Sequence, residues 1–159
     1  VGGDQVSYGA LPKGERGYKN IFLNEVKDRI DLERIHFVNR IPYETLVSLL
    51  RVSAAHVYLT VPFVLSWSML EAMSLGALVI GSSTAPVKEV IEHEKNGLLV
   101  DFFDHEGLAK TISAALASPE RFKPMRLAAR ETVISRYDFS TISLPAYCRL
   151  IDGQEPFPR

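Results

Sequence analysis

Residues 54–81 read AAHVYLTVPFVLSWSMLEAMSLGALVIG, and this stretch decides the fold. Ala54 to Thr60 is an apolar run of strand length, the pattern of a strand covered on both faces. Pro62 cannot donate to a ladder and ends it. Phe63 to Ser66 then read as a loop. Ser66 is a suitable N-cap, because its hydroxyl oxygen can accept an orphan amide of the first turn. The helix predicted from Trp67 stops at Leu75, since Gly76 occupies the position that favours a left-handed residue just past a helix end. Ala77 to Gly81 is a second, near-continuous apolar strand.

The same alternation continues outward. Ser82 to Ala85 reads as a turn and Pro86 to His93 as a short helix. Asn96-Gly97 turns into a strand at Leu98 to Val100. Asp104 is a plausible N-cap for a helix reaching Ala117, and helices over 120–136 and 141–151 precede a Pro-rich tail from Gly153 to Arg159. Phe122, Met125, Ala129 and Val133 form a core stripe at helical spacing. Upstream, Pro42 opens a helix with Leu46, Leu49 and Leu50 facing inward. Arg34 to Val38 reads as a short strand closed by Asn39 and Arg40. Tyr18 to Ile30 is helical, with Ile21, Phe22, Val26 and Ile30 recurring at spacings of three and four. Residues 4–16 are loop. Strands apolar on both faces, alternating with helices, predict an α/β fold with a parallel sheet of at least four strands covered by helices on both sides. In such sheets ligands bind beyond the carboxyl ends of the strands, which selects the loops 39–42, 60–66, 81–86 and 101–104.

Composition bounds the function. The chain has 159 residues, 47% hydrophobic and 23% charged, with Lys+Arg 18 against Asp+Glu 19 and a net charge of −1. That balance is globular and argues against nucleic acid as the main partner, which would need a basic excess or face. The single cysteine, Cys148, excludes an internal disulfide and a cysteine-rich zinc site. It fits a reducing, cytoplasmic setting and reads as a small buried hydrophobe. The apolar runs are too short to span a membrane. Val1 to Asp4 reads as the end of a buried strand running into a glycine turn, so something structural is expected upstream of residue 1.

The chemistry concentrates between Leu59 and Gly76. With Ser66 as cap, the amides of Trp67 and Ser68 are expected to point out of a helix start at a strand end, a natural site for phosphate. Ser68 adds a hydroxyl. Glu71 falls outside the capping-box position, which Met69 occupies. Its carboxylate is then free to accept hydrogen bonds from vicinal hydroxyls such as a ribose diol. The same residue is also compatible with a helix-dipole carboxylate on a solvated face.

These residues resemble a known family. Glu71-Ala-Met73, Gly76 and Val79-Ile80 resemble the E-A-M-x-x-G-x-P-V-I motif of retaining glycosyltransferases of the GT-B fold, family-4 (group 1) type. Glu89-Val-Ile91 resembles that family's E-I-I, Asn96-Gly97-Leu-Leu-Val100 its N-G-x-L-V, and Ile35 to Arg40 its V-x-F-L-G before a helix. The likeness covers roughly residues 34–137. It implies a Rossmann-like C-terminal nucleotide-sugar-binding domain over residues 1–152 with its first part missing, then a tail over 153–159. The implied activity is sugar transfer, with retention, from a nucleotide-diphosphate sugar to an unknown acceptor in carbohydrate biosynthesis. No other cofactor and no metal are implied. The missing N-terminal domain would be the partner that supplies the acceptor site, and any peripheral membrane association would run through it. The fragment alone is expected to be a poor catalyst.

By the same resemblance, Glu71 takes the place of the glutamate that holds the donor's ribose. Leu65, Ser66, Trp67 and Ser68 meet the phosphates and sugar, and the loop at Arg40 and Ile41 touches the base. Read from its residue type alone, Arg40 is a solvated surface charge. Two departures stand out. The first glutamate of the family's E-x7-E pair is Phe63 here, which can stack on a sugar but cannot accept its hydroxyls, and the following Gly-Phe-Gly is Val64-Leu65-Ser66. The basic G-R-x-x-x-x-K-G clamp is also not reproduced: Lys13-Gly14 stands five residues after Tyr8, not an arginine. A nucleotide-sugar epimerase of the same fold, or a non-catalytic binding domain, therefore remain as alternatives.

Other candidates read as structural. His36, His56, His93 and His105 share no metal-ligand spacing, and His36 and His56 read as satisfied strand residues. Asp101, Asp104, His105 and Glu106 are explained by a loop and an N-cap. Trp67 either stacks on a ligand or packs on a neighbouring helix. One of Phe102 and Phe103 is expected to be exposed.

Overall fold

Three strands pair in parallel in the order β1-β2-β3, formed by Ala55–Tyr58, Leu78–Ser82 and Leu98–Val100. Ala55 lies opposite Leu78 and Tyr58 opposite Gly81; Ile80 lies opposite Leu98 and Ser82 opposite Val100. The computed structural model describes residues 17–61 and 64–157. The expected strand end at Val1 to Asp4, the loop around Lys13-Gly14, Pro62 and Phe63 lie outside the described residues. The chain divides into two compact units, residues 1–46 and 47–159.

In the first unit, α1 spans Tyr18–Val26. It is shorter than the periodicity predicted, because hydrogen bonding tightens after Lys27: the Arg29 amide reaches back three residues to Val26, which ends the α-helix and leaves Ile30 exposed. The Lys19 ammonium sits 4.4 Å from the Phe37 ring centroid. The strand expected at Arg34 to Val38 does not form. Leu32–Arg34 is a 3-10 turn capped by Asp31, and Ile35 has extended dihedrals. A strand needs a ladder partner as well as extended backbone, and none is present among the described residues. The described sheet accordingly has three strands, not the four expected. Asn39 adopts φ 43, a conformation asparagine tolerates, and turns the chain toward α2, Tyr43–Val52. The division between the units falls inside α2. Leu50 is buried on it, but Leu49 is exposed, because the next residue points about 100° round the helix.

The second unit holds the sheet. Strand alternation puts Leu78 and Ile80 on one face with Leu98, Val100, Ala115 and Phe122, and Ala55, Leu108, Ile112 and Met125 pack against them. The helix on that face is α5, His105–Ala117, capped as expected by Asp104, whose Oδ1 accepts the Gly107 amide at 2.8 Å. The opposite face carries Val79 and Gly81. Successive right-handed crossovers lay α3, Trp67–Ser74, and α4, Ala85–Lys88, over it. A Cβ at Gly81 would meet Val87 Cγ1 at 2.9 Å, which fixes how closely α4 approaches. The α4 helix is shorter than predicted because the chain turns at Glu89 and Val90 toward the bridge between His93 and Gly97.

The remaining elements are α6, Lys123–Tyr137, entered through a 3-10 turn at Pro119–Phe122, and α7, Leu144–Ile151, entered through a π turn at Phe139–Ser143. Phe122 and Ala129 are buried as the stripe required. Cys148 is exposed, not buried: Ala146 is the buried residue of α7, and a position two residues on points about 200° away from it.

Two arginines of α6 fix α3 from its carboxyl end. Arg126 Nε donates to the Gly76 carbonyl at 2.5 Å, and Arg130 donates to the Ser74 carbonyl. Cations there satisfy orphan carbonyls and complement the dipole. Gly76 has φ +76 with no atom near a Cβ built on it, so the demand for glycine is conformational alone. Gly76→Ala should cost about 1 kcal/mol and Gly76→Asn less, because asparagine tolerates that region; denaturant midpoints of the two variants check it.

Candidate functional site

All three strands run in one direction, so their carboxyl ends share one edge of the sheet with the loops after Tyr58, Ser82 and Val100. At this edge α3 begins. Ser66 is its N-cap, with extended dihedrals (φ −79, ψ 140) and a hydroxyl that accepts the Ser68 amide at 3.3 Å. The Ser68 hydroxyl lies 3.0 Å from that of Ser66. The Met69 amide returns to the Ser66 carbonyl at 3.2 Å. The Ser66 amide donates to the Tyr58 phenol oxygen at 2.9 Å.

This corrects the expectation that the Ser68 amide points outward: it is engaged by the cap. Of the amides from Leu65 to Ser68, those of Leu65 and Trp67 have no acceptor among the described residues. Trp67 is 81% exposed, so packing against a neighbouring helix does not account for it. Val64 is exposed beside it, while Leu65 and Ser68 are half-buried.

Glu71 lies one turn further along α3 and is half-buried. Its backbone carbonyl accepts from Leu75 and from the Ser74 hydroxyl. Its carboxylate forms no hydrogen bond or ion pair with another described residue, and the buried side of α3 is made instead by Met69, Ala72 and Met73. From Ser66 to Glu71 the helix advances about 7.5 Å, at 1.5 Å per residue. Arg40, which is exposed, and Ile41, which is half-buried, belong to the first compact unit and follow the left-handed Asn39.

Two residues that sequence reading passed over hold the chain just after β1 and just before α3. Ser82 is fully buried. Its hydroxyl accepts the Thr60 amide at 3.0 Å and donates to the Thr60 carbonyl at 2.9 Å. Tyr58 holds the chain before α3 through Ser66. The only available signal was a polar side chain at the last position of each strand, which spacing alone cannot pair.

The neighbouring loop is closed locally. Asp101 Oδ1 accepts the Phe103 amide at 2.9 Å, and with Asp104 capping α5 the acidic cluster is accounted for by caps. Phe103 is exposed and meets Phe102 edge-on at 5.0 Å. A groove of about 640 Å³ between the α4–β3 connection and α6 lies at the amino ends of the strands, away from α3's start. Its buried polar residue, Asn96, is satisfied by Glu92, Val90 and Thr132.

His56 departs from the expected satisfied state. It lies on β1 opposite Val79, and its Nε2 is buried without a partner among the described residues. Burial disfavours the charged ring and lowers its pKa from the ordinary 6.5. Below that value the unfolded chain binds more protons than the folded one, so stability falls as pH drops toward the folded value. Denaturant midpoints should decline as pH falls through the ordinary imidazole value of 6.5, and His56→Leu should flatten that decline.

A family model described as "Glycosyl transferases group 1" matches residues 13–132. Anabaena HepE in complex with UDP-glucose is similar at TM-score 0.77 and 19% identity, over 88% of this chain and 38% of that one. Sucrose-phosphate synthase from Thermosynechococcus elongatus is similar at TM-score 0.70 and 27% identity, over 92% and 38%. Anabaena HepE in complex with UDP is similar at TM-score 0.73 and 20% identity, over 89% and 38%. This chain therefore spans about 38% of the length of each. No curated protein matches it. The family match bears out the resemblance read from Glu71-Ala-Met73 and its neighbours, and the solved structures bear out the fold.

Proposed function

Because the chain belongs to the group 1 glycosyl transferase family, we propose that it is the donor-binding part of a retaining glycosyltransferase that moves a hexosyl group from a nucleotide-diphosphate sugar to an acceptor. The observation that carries this reading is Glu71, a carboxylate uncommitted to any described residue, one turn into a helix that starts at the carboxyl edge of a parallel sheet. Ligands of such sheets bind at that edge.

In this reading Glu71 accepts the two hydroxyls of the donor ribose. The Leu65 and Trp67 amides and the Ser68 hydroxyl face the diphosphate. Leaving-group departure builds negative charge on the diphosphate, and fixed donors beside a positive helix end favour that charge more than the ground state. The contribution of these residues is electrostatic and orienting. Phe63 is assigned to the sugar face, and the acceptor site to another part of the protein. The donor is itself the substrate, and no further cofactor enters. UDP-linked donors are the first to try, because Anabaena HepE binds UDP-glucose.

The test is to offer the full protein a panel of nucleotide sugars and follow transfer and hydrolysis, with thermal shift beside them. A nucleotide present at about 100 times its dissociation constant should add about 2.7 kcal/mol of stability. Saturable turnover of one donor supports the reading; no shift and no turnover with any nucleotide sugar would overturn it.

A further inference from the structure

We propose that the Tyr58 hydroxyl is a positioning residue for the head of α3: it holds the Ser66 amide and thereby sets the direction of the Trp67 amide, which has no acceptor among the described residues. The proposal rests on the donor-binding reading above.

Among the described residues between β1 and α3, side chains of the sheet bind the backbone at Thr60 and at Ser66. Ser82 makes a reciprocal pair of bonds with the Thr60 backbone, 3.0 and 2.9 Å long. The serine has one proton, and it goes to the Thr60 carbonyl. The Thr84 hydroxyl, 3.4 Å away, must then be the donor in its own contact. Tyr58 is the last residue of β1 and shares its sheet face with Val79's neighbour Gly81, the face that α3 covers. From there its phenol oxygen accepts the Ser66 N–H at 2.9 Å. Val61 and Val64 are 56% and 76% exposed, so their own burial does not hold the backbone beside Thr60 and Ser66.

The chemistry of the cap explains why the Tyr58 bond matters. An N-cap hydroxyl satisfies amides that follow it, here Ser68, but cannot reach its own N–H. Without Tyr58 that amide would turn to water, and the Leu65–Ser66 peptide that bears it would be less firmly held, together with the adjoining Ser66–Trp67 peptide that bears the Trp67 amide. With it, the phenol uses only an oxygen lone pair, so its proton remains available and no buried polar atom is stranded. The bond therefore orders the head of α3 at low cost to folding.

Tyr58→Phe removes the acceptor and leaves the ring. Amide hydrogen exchange without ligand should show faster exchange at Ser66 with α3 beyond Met69 unchanged, and the melting temperature should stay close to wild type. In the full protein the affinity for UDP should weaken by about three- to tenfold, the range one lost hydrogen bond permits. The effect should appear in donor KM, with kcat changed less. Tyr58→Leu, which also loses the ring, should lower the melting temperature as well, which separates orientation from packing. Unchanged Ser66 exchange in Tyr58→Phe would overturn the proposal, whatever the nucleotide does. Faster exchange with unchanged UDP affinity would also overturn it, provided Glu71→Gln weakens UDP in the same assay. If UDP affinity is indifferent to both substitutions, the donor-binding reading itself fails, and the positioning role fails with it.

Discussion

Replacing Glu71 with alanine should lower kcat/KM for the donor by at least about 100-fold while leaving the melting temperature within a degree or two of wild type. Hydrogen bonds to a charged group contribute about 1.5–3 kcal/mol each. Two such bonds to a ribose diol are therefore worth about 3–6 kcal/mol, and each 1.4 kcal/mol is about tenfold in affinity. Stability should hold because the carboxylate has no described partner and only part of the side chain is buried. Steady-state kinetics on a nucleotide sugar, with thermal unfolding in parallel, checks both halves. A large fall in melting temperature would recast Glu71 as structural.

Met69→Ala should produce the reverse pattern. Met69 is fully buried with Ala72 and Met73 on the inner side of α3. Removing a buried side chain of that size leaves a cavity and costs about 2–5 kcal/mol. In a domain of this size that corresponds to a melting temperature roughly 5–15 °C lower. The donor site should weaken only as α3 loosens, so at low temperature donor KM should move far less than in Glu71→Ala. Denaturant unfolding and donor kinetics on one preparation separate the two effects.

What could be read from the sequence divides along physical lines. The segment from β1 through α3 to β2 was legible because each signal is local: an apolar run, a proline stop, a serine cap, a glycine past the helix end. Asp104 was legible for the same reason, and so was the parallel arrangement, since only strands covered on both faces are continuously apolar. Arg34 to Val38 misled because apolar β-branched residues specify extended backbone and not the presence of a neighbour. Cys148 and Leu49 misled because residue type gives an average burial, whereas the helix face decides it. The Tyr58–Ser66 and Ser82–Thr60 bonds were illegible, since they join positions 8 and 22 residues apart whose approach depends on the assembled sheet. The direction of the Ser68 amide was misjudged because a cap that supplies an anion site also consumes one of its donors. At the site, the sequence indicated Glu71 and the helix start through family resemblance, but which amides remain free is a property of the folded loop.

The central claim, that Glu71 receives the donor's ribose hydroxyls at the head of α3, is tested most directly by comparing UDP and 2′-deoxy-UDP on the full protein and on Glu71→Ala by titration calorimetry. The account predicts that wild type prefers UDP and that the preference disappears in Glu71→Ala, both nucleotides then binding equally weakly. Undiminished preference for UDP in the variant, or wild-type affinity for it, would contradict the claim.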